Sequence, residues 1–130
     1  SLAQRLLIDQ RQVRVLHGDI HHRNIRKTPR GWLTFDPKGL IGERTYDCAN
    51  TLCNPEMPEL VHNETRLLTN AAILADTLAL DLSRVLAFTY AYACLNASQW
   101  LPRIDTNDAE ETVHWFLKIA VMVEPHVRLS

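Results

Sequence analysis

The chain has 130 residues, 46% of them apolar and 22% charged, with four glycines and no biased tract. That size and balance suit one soluble globular domain with a real core and exclude a second full domain or a disordered chain. Fourteen basic against fifteen acidic side chains leave a formal charge of -1, which excludes a global basic field for nucleic acid or an anionic membrane and makes any phosphate binding a local matter.

Leu2, Ala3, Leu6 and Leu7 give residues 1–12 a helical rhythm that starts at the first position, as at a cut edge rather than a natural beginning. Val13–Leu16 is β-rich and predicts a short strand, and residues 24–27 and 32–35 predict two more around a Thr-Pro-Arg-Gly turn. Asp36 and Pro37 close the last of these, because proline donates nothing to a ladder, and residues 38–44, KGLIGER, predict a loop. A helix is expected after Thr45. From Asn63 the period becomes helical throughout, predicting helices over 64–80, 82–100 and 108–123, with Asn63, Asp81 and Asn107 as N-caps and Pro102 as a stop. The chain therefore predicts a mainly α fold with a small β-hairpin over 13–47 and a helical part over 48–130.

Cys48, Cys53 and Cys94 are odd in number, in a chain without an N-terminal signal pattern, and read as reduced structural thiols of a cytoplasmic protein. The apolar stretch 85–97 contains Thr89, Tyr90, Tyr92 and Asn96 and is too short to span a bilayer. Phe88, Tyr90, Tyr92, Trp100, Trp115 and Phe116 read mostly as core or lobe-packing aromatics, with substrate stacking as the alternative.

The chemistry is concentrated in LHGDIHHRN, residues 16–24. One reading makes His17, Asp19, His21 and His22 metal ligands of a hydrolase, but His62, His114 and His126 stand apart and supply no further group at ligand spacing. The other reading joins Asp19, Asn24 and Asp36. Phosphoryl transfer needs a carboxylate to orient or deprotonate the acceptor hydroxyl, and oxygen ligands for Mg²⁺ beside the phosphates. Asp19 suits the first role, while Asn24 and Asp36, brought together by a hairpin, suit the second.

HGDIHHRN followed by an apolar strand and FDP resembles the catalytic loop of the protein-kinase-like superfamily in its aminoglycoside phosphotransferase form. GWLTFDPKGLIGERTYDCANTLCNP, residues 31–55, is similar to streptomycin phosphotransferases and the related aminoglycoside/hydroxyurea resistance kinases. The resemblance implies the C-terminal lobe of a kinase-like fold that, in the complete enzyme, uses ATP and Mg²⁺ to phosphorylate an alcohol group of a small-molecule antibiotic such as streptomycin or hydroxyurea.

Carried over by position, it makes Asp19 the catalytic base, Asn24 and Asp36 metal ligands, and Asn24, Ile25 and Asp36 the nucleotide-binding set, although Arg26 departs from the apolar adenine floor. His17 and Gly18 shape the loop. His21 is either a contact of the transferred phosphoryl group or a solvated loop histidine, whereas His22 and Arg23 are expected to be exposed. Lys38 approaches phosphate or pairs with Glu43. Glu43 and Asp47 are substrate-side acids, with Asp47 also able to anchor the loop, and Asp105, Asp108, Glu110 and Glu111 are further acids for a polycationic acceptor.

All four glycines fall in the catalytic loop, the hairpin and the segment after Asp36, so no phosphate-covering glycine loop is available. The N-terminal nucleotide-binding lobe is therefore expected to be absent, the chain inactive alone, and its uncovered lobe face open to self-association. A non-enzymatic interaction module and the histidine-based hydrolase remain the rival readings.

Overall fold

The computed structural model describes residues 1–128, with Asn107 described by its backbone alone, so the last two positions of the domain expected over 1–130 lie outside the described residues. Helix α1 spans Leu2–Ile8, shorter than expected: Ser1 caps it by accepting the Gln4 N–H, Asp9 leaves helical backbone, and Gln12 turns the chain at φ +49. Strand β1 (Val13–Leu16) follows. A single 3₁₀ turn over His22–Asn24 then leads into the hairpin of β2 (Ile25–Thr28) and β3 (Gly31–Thr34). Thr28 stands opposite Gly31, whose φ of +99 makes the tight turn, and the Thr28 hydroxyl donates to the Gly31 carbonyl at 2.9 Å.

The KGLIGER loop expected over 38–44 is corrected: Leu40–Glu43 forms β4, antiparallel to β1, with Val13 opposite Glu43 and Leu16 opposite Leu40. Its glycines obscure a strand whose pairing lies far back in the chain. The described residues thus hold two separate two-stranded antiparallel sheets.

Helix α2 (Tyr46–Leu52) comes next, then α3 (Pro58–Val61), which has too few residues to show a period. Helix α4 (Glu64–Leu78) starts at Asn63, which accepts the Arg66 N–H at 3.0 Å, and stops two residues early where Ala79 adopts φ +54. Helix α5 (Leu82–Trp100) matches the expected span, capped by Asp81. Helix α6 (Asn107–Val123) is capped by Thr106 rather than by Asn107, because the helix begins one residue earlier than expected and the Thr106 hydroxyl accepts the Ala109 N–H at 3.3 Å.

The fold is mostly helical with small antiparallel hairpins, and α5 is its axis, packed against α6, α2, α4 and α1. Val85 and Ala93 of α5 are buried with Ile119 and Val123 of α6, Leu52 of α2, Val61 of α3 and Leu67 of α4. Each large aliphatic side chain so covered contributes about 1.5–3 kcal/mol. The three cysteines are free, and burial pushes the Cys48 and Cys53 thiols up to about 11 and about 12, which keeps both protonated and unreactive. Among the described residues no helix is long and apolar enough to cross a membrane.

Candidate active site

Strand β1 delivers the chain to the catalytic loop, and Asp47 at the start of α2 fixes the loop's first turn. Its Oδ2 accepts the His17 N–H at 3.0 Å and its Oδ1 the Gly18 N–H at 2.8 Å. Gly18 has φ +85, and a Cβ there would meet Leu40 Cδ1 and Lys38 Cβ at 3.0 Å, so glycine is required both by conformation and by space. The His17 ring bonds the Phe35 carbonyl through Nε2, which must donate, while Nδ1 accepts the Asp19 N–H at 3.1 Å. Both nitrogens are committed to loop geometry, which removes His17 from any metal-ligand set. Among the described residues no three His, Cys, Asp or Glu side chains group as a metal cage.

Asp19, His21 and Asn24 come together. The Asn24 amide donates to the Asp19 carbonyl at 2.9 Å and lies 3.5 Å from Asp19 Oδ2, while His21 Nε2 is 3.6 Å from the same oxygen. His21 Nδ1 accepts the Arg23 N–H at 3.2 Å, and Nε2 lies 3.2 Å from the Asn24 amide nitrogen on the Oδ2 side of Asp19. The other oxygen, Asp19 Oδ1, accepts from Asn50 Nδ2 at 3.2 Å. Thr51 of α2 adds a bond to the Ile20 carbonyl at 2.9 Å.

Asp36 stands exposed just beyond β3 with φ +61, and the neighbouring Phe35 N–H donates to the Asn24 carbonyl at 2.7 Å, which ties the Asp36 segment to Asn24. Because the Asn24 amide nitrogen is turned to the Asp19 carbonyl and to His21, its Oδ1 is the atom left for a hard cation. An asparagine oxygen and a carboxylate suit Mg²⁺, which takes few protein ligands and keeps waters and phosphate oxygens for the rest. Half-buried Ile25 opens β2 opposite Thr34, and the Arg26 guanidinium stands 5.7 Å over the Phe35 ring. His22 and Arg23 are exposed. The Lys38 N–H donates to the His17 carbonyl, so the residue serves the loop through its backbone.

Glu43 is corrected as a substrate-side acid. It is 3% exposed and gripped by Arg84, with Nη2 to Oε1 at 2.6 Å and Nε to Oε2 at 2.7 Å, while the Arg11 N–H adds a bond at 2.8 Å. Burial works to raise its pKa, but the Arg84, Arg11 and Thr45 bonds outweigh it and hold the carboxyl below its ordinary value. The pairing of Lys38 with Glu43 is therefore replaced by Arg84.

A cleft of about 450 Å³ opens beside Asp19 and His21, walled by Asn50 and Asn54 of the α2 segment, Tyr92 of α5, and Thr112, Trp115 and Phe116 of α6. Of the acids expected near α6, Glu111 lines the cleft, joined by Glu56, which sequence reasoning missed; Asp105, Asp108 and Glu110 are exposed at the helix start. Sequence reasoning also gave Asn50 no role and favoured packing over substrate stacking for Tyr92. The available signals were a polar Asn50 among buried residues of α2 and its place at the end of the Tyr-Asp-x-Ala-Asn stretch.

The sequence profile of the family described as aminoglycoside/hydroxyurea antibiotic resistance kinase matches residues 1–103. The chain belongs to this family. Its membership places the kinase-like catalytic loop and the helices up to α5 within one homologous unit. Among curated relatives, a streptomycin 3''-kinase from Klebsiella pneumoniae is 38% identical over 106 residues, covering 78% of this chain and 40% of that protein. A probable ketoamine kinase from Klebsiella aerogenes is 36% identical over 63 residues, 48% of this chain and 22% of that protein. The chain thus spans less than half the length of either relative. No solved structure matches it significantly.

Proposed function

We propose that this chain carries the catalytic loop and acceptor cleft of an ATP-dependent small-molecule phosphotransferase, with the alcohol group of streptomycin as the acceptor to test first. The observation that carries the reading is Asp19. One of its oxygens is held by Asn50, and its side chain borders a cleft whose walls include Glu56 and Glu111, acids suited to a polycation. The 38% identity to a streptomycin 3''-kinase supports the choice of acceptor.

In the proposed reaction the acceptor hydroxyl gives its proton to the Asp19 carboxylate. Its oxygen forms a bond to the terminal phosphorus of ATP, the bridging P–O bond breaks, and ADP leaves with that electron pair. Asn24 and Asp36 are the residues that would hold Mg²⁺, which when bound offsets charge on the phosphates. His21 Nε2 lies on the same side of Asp19 and is suited to donate to an oxygen of the transferred group. Asp47 and His17 do no chemistry; they keep the loop in shape. The 130-residue chain by itself is read as binding its ligands while transferring phosphate negligibly, with its partner a nucleotide-covering lobe and its setting cytoplasmic. The exposed apolar side chains Val15 and Ile41, opposite each other on β1 and β4, favour burial of that surface against such a partner or a second copy.

Calorimetric titration of Mg·ATP and of streptomycin tests the reading. Wild type is expected to bind both; Asp36→Ala is expected to lose Mg·ATP while retaining streptomycin. Equal Mg·ATP binding by wild type and Asp36→Ala would remove the metal site from the proposal.

A further inference from the structure

Asn50 is 6% exposed yet polar, and its amide faces two groups at once. Nδ2 donates to Asp19 Oδ1 at 3.2 Å and to the Tyr92 hydroxyl at 3.1 Å. The orientation of the amide follows from its partners. A carboxylate only accepts, so the nitrogen must face Asp19, and Asn54 Nδ2 donates to Asn50 Oδ1 at 3.2 Å from the other side. The Tyr92 oxygen therefore receives a hydrogen from Asn50, and its own hydrogen must point elsewhere.

The ring holding that hydroxyl is fixed by edge contacts with Tyr46 and Phe116, at centroid separations of 5.9 and 6.1 Å. Burial pushes the phenol's pKa up, which keeps the donor hydrogen in place across the physiological range. Tyr92 also lines the cleft that contains Asp19, and among the described residues no acceptor takes its hydrogen.

We propose that Tyr92 is an acceptor-binding residue whose O–H donates to an oxygen of the substrate neighbouring the hydroxyl poised over Asp19, and that Asn50 is the positioning residue that aims it. Two hydrogens on one amide nitrogen, each with an oxygen about 3 Å away, set those oxygens ~5 Å apart. A donor and a carboxylate at that spacing bracket a vicinal pair of oxygens on a sugar or cyclitol ring: one hydroxyl donates to Asp19 and its neighbour accepts from Tyr92. The inference rests on the phosphotransferase reading and adds a requirement for a second oxygen beside the reacting one.

Streptomycin titrated calorimetrically into wild type, Tyr92→Phe, Asn50→Ala and the double variant tests it, with thermal melting of each as the control for folding. Tyr92→Phe removes only the hydroxyl and is expected to weaken binding about three- to tenfold. Asn50→Ala, which releases both Tyr92 and Asp19 Oδ1, is expected to weaken it at least as much, and the double variant no more than Asn50→Ala, because the Tyr92 hydroxyl is aimed by Asn50. If Tyr92→Phe binds as wild type does, the inference falls while the phosphotransferase reading stands. Independent, additive losses in the double variant overturn the positioning role of Asn50. If wild type itself does not bind streptomycin, the proposed acceptor fails and this inference fails with it.

Discussion

Asp47 carries the turn on which the site depends, since its two oxygens are shared between the His17 and Gly18 N–H groups at 3.0 and 2.8 Å. An asparagine of the same shape offers only one oxygen, so Asp47→Asn leaves one of those half-buried donors facing an amide N–H. The expected loss is about 1–3 kcal/mol, read from the urea midpoint, with an unchanged denaturant slope. A midpoint like that of wild type would mean that the turn holds by backbone alone. At this scale the sequence is legible where partners are near: Asp19, His21 and Asn24 lie within six positions and meet in the structure. Asn50 reaches Asp19 across 31 positions and Tyr92 across 42, and no local pattern records such distances. Glu43 misleads for the same reason. An acid beside a glycine loop looks available until Arg84, 41 positions on, is found to hold it.

Elements are legible in proportion to their period. Helix α5 shows its full span because nineteen residues repeat the helical pattern many times, whereas four residues of α3 repeat it barely once. Strand β4 fails differently: its identity lies in the ladder to β1 and in a clamp to α5, neither of which is local. That clamp joins three elements, because Arg84 of α5 grips Glu43 of β4 and also reaches the carbonyl of Asp9 at the end of α1. Removing one charge from such a pair strands the other. Glu43→Gln is expected to lose about 3–5 kcal/mol by urea denaturation, while Glu43→Leu combined with Arg84→Met recovers most of that loss, since the desolvation cost disappears with both charges. A double variant as unstable as the single one would show that the charges, rather than the packing, fasten β4 to α5.

At the scale of the molecule, two seams among the described residues are expected to respond to acid in sequence. The first is at the α3–α4 joint, where His62 packs on Trp115 at a centroid distance of 4.3 Å and donates from Nε2 to the Trp115 carbonyl of α6 at 3.1 Å. Burial lowers its pKa from the ordinary 6.5 despite that bond, with Lys118 adding to the depression. As pH falls through 6.5 the unfolded chain takes up a proton that the folded one refuses, so stability drops from there until the lower folded value is passed. The second seam is Glu43, whose pKa is also lowered, here from 4.5. Its contribution is complete above 4.5 and is lost as pH falls further, through the folded value. Stability measured by urea unfolding is therefore expected to decline in two stages. His62→Gln, which keeps an N–H donor but does not titrate, is expected to flatten the upper stage and leave the lower one. The opposite pattern, an upper stage of the same slope in wild type and His62→Gln, would assign that decline to another histidine and remove His62 from the acid response of the fold.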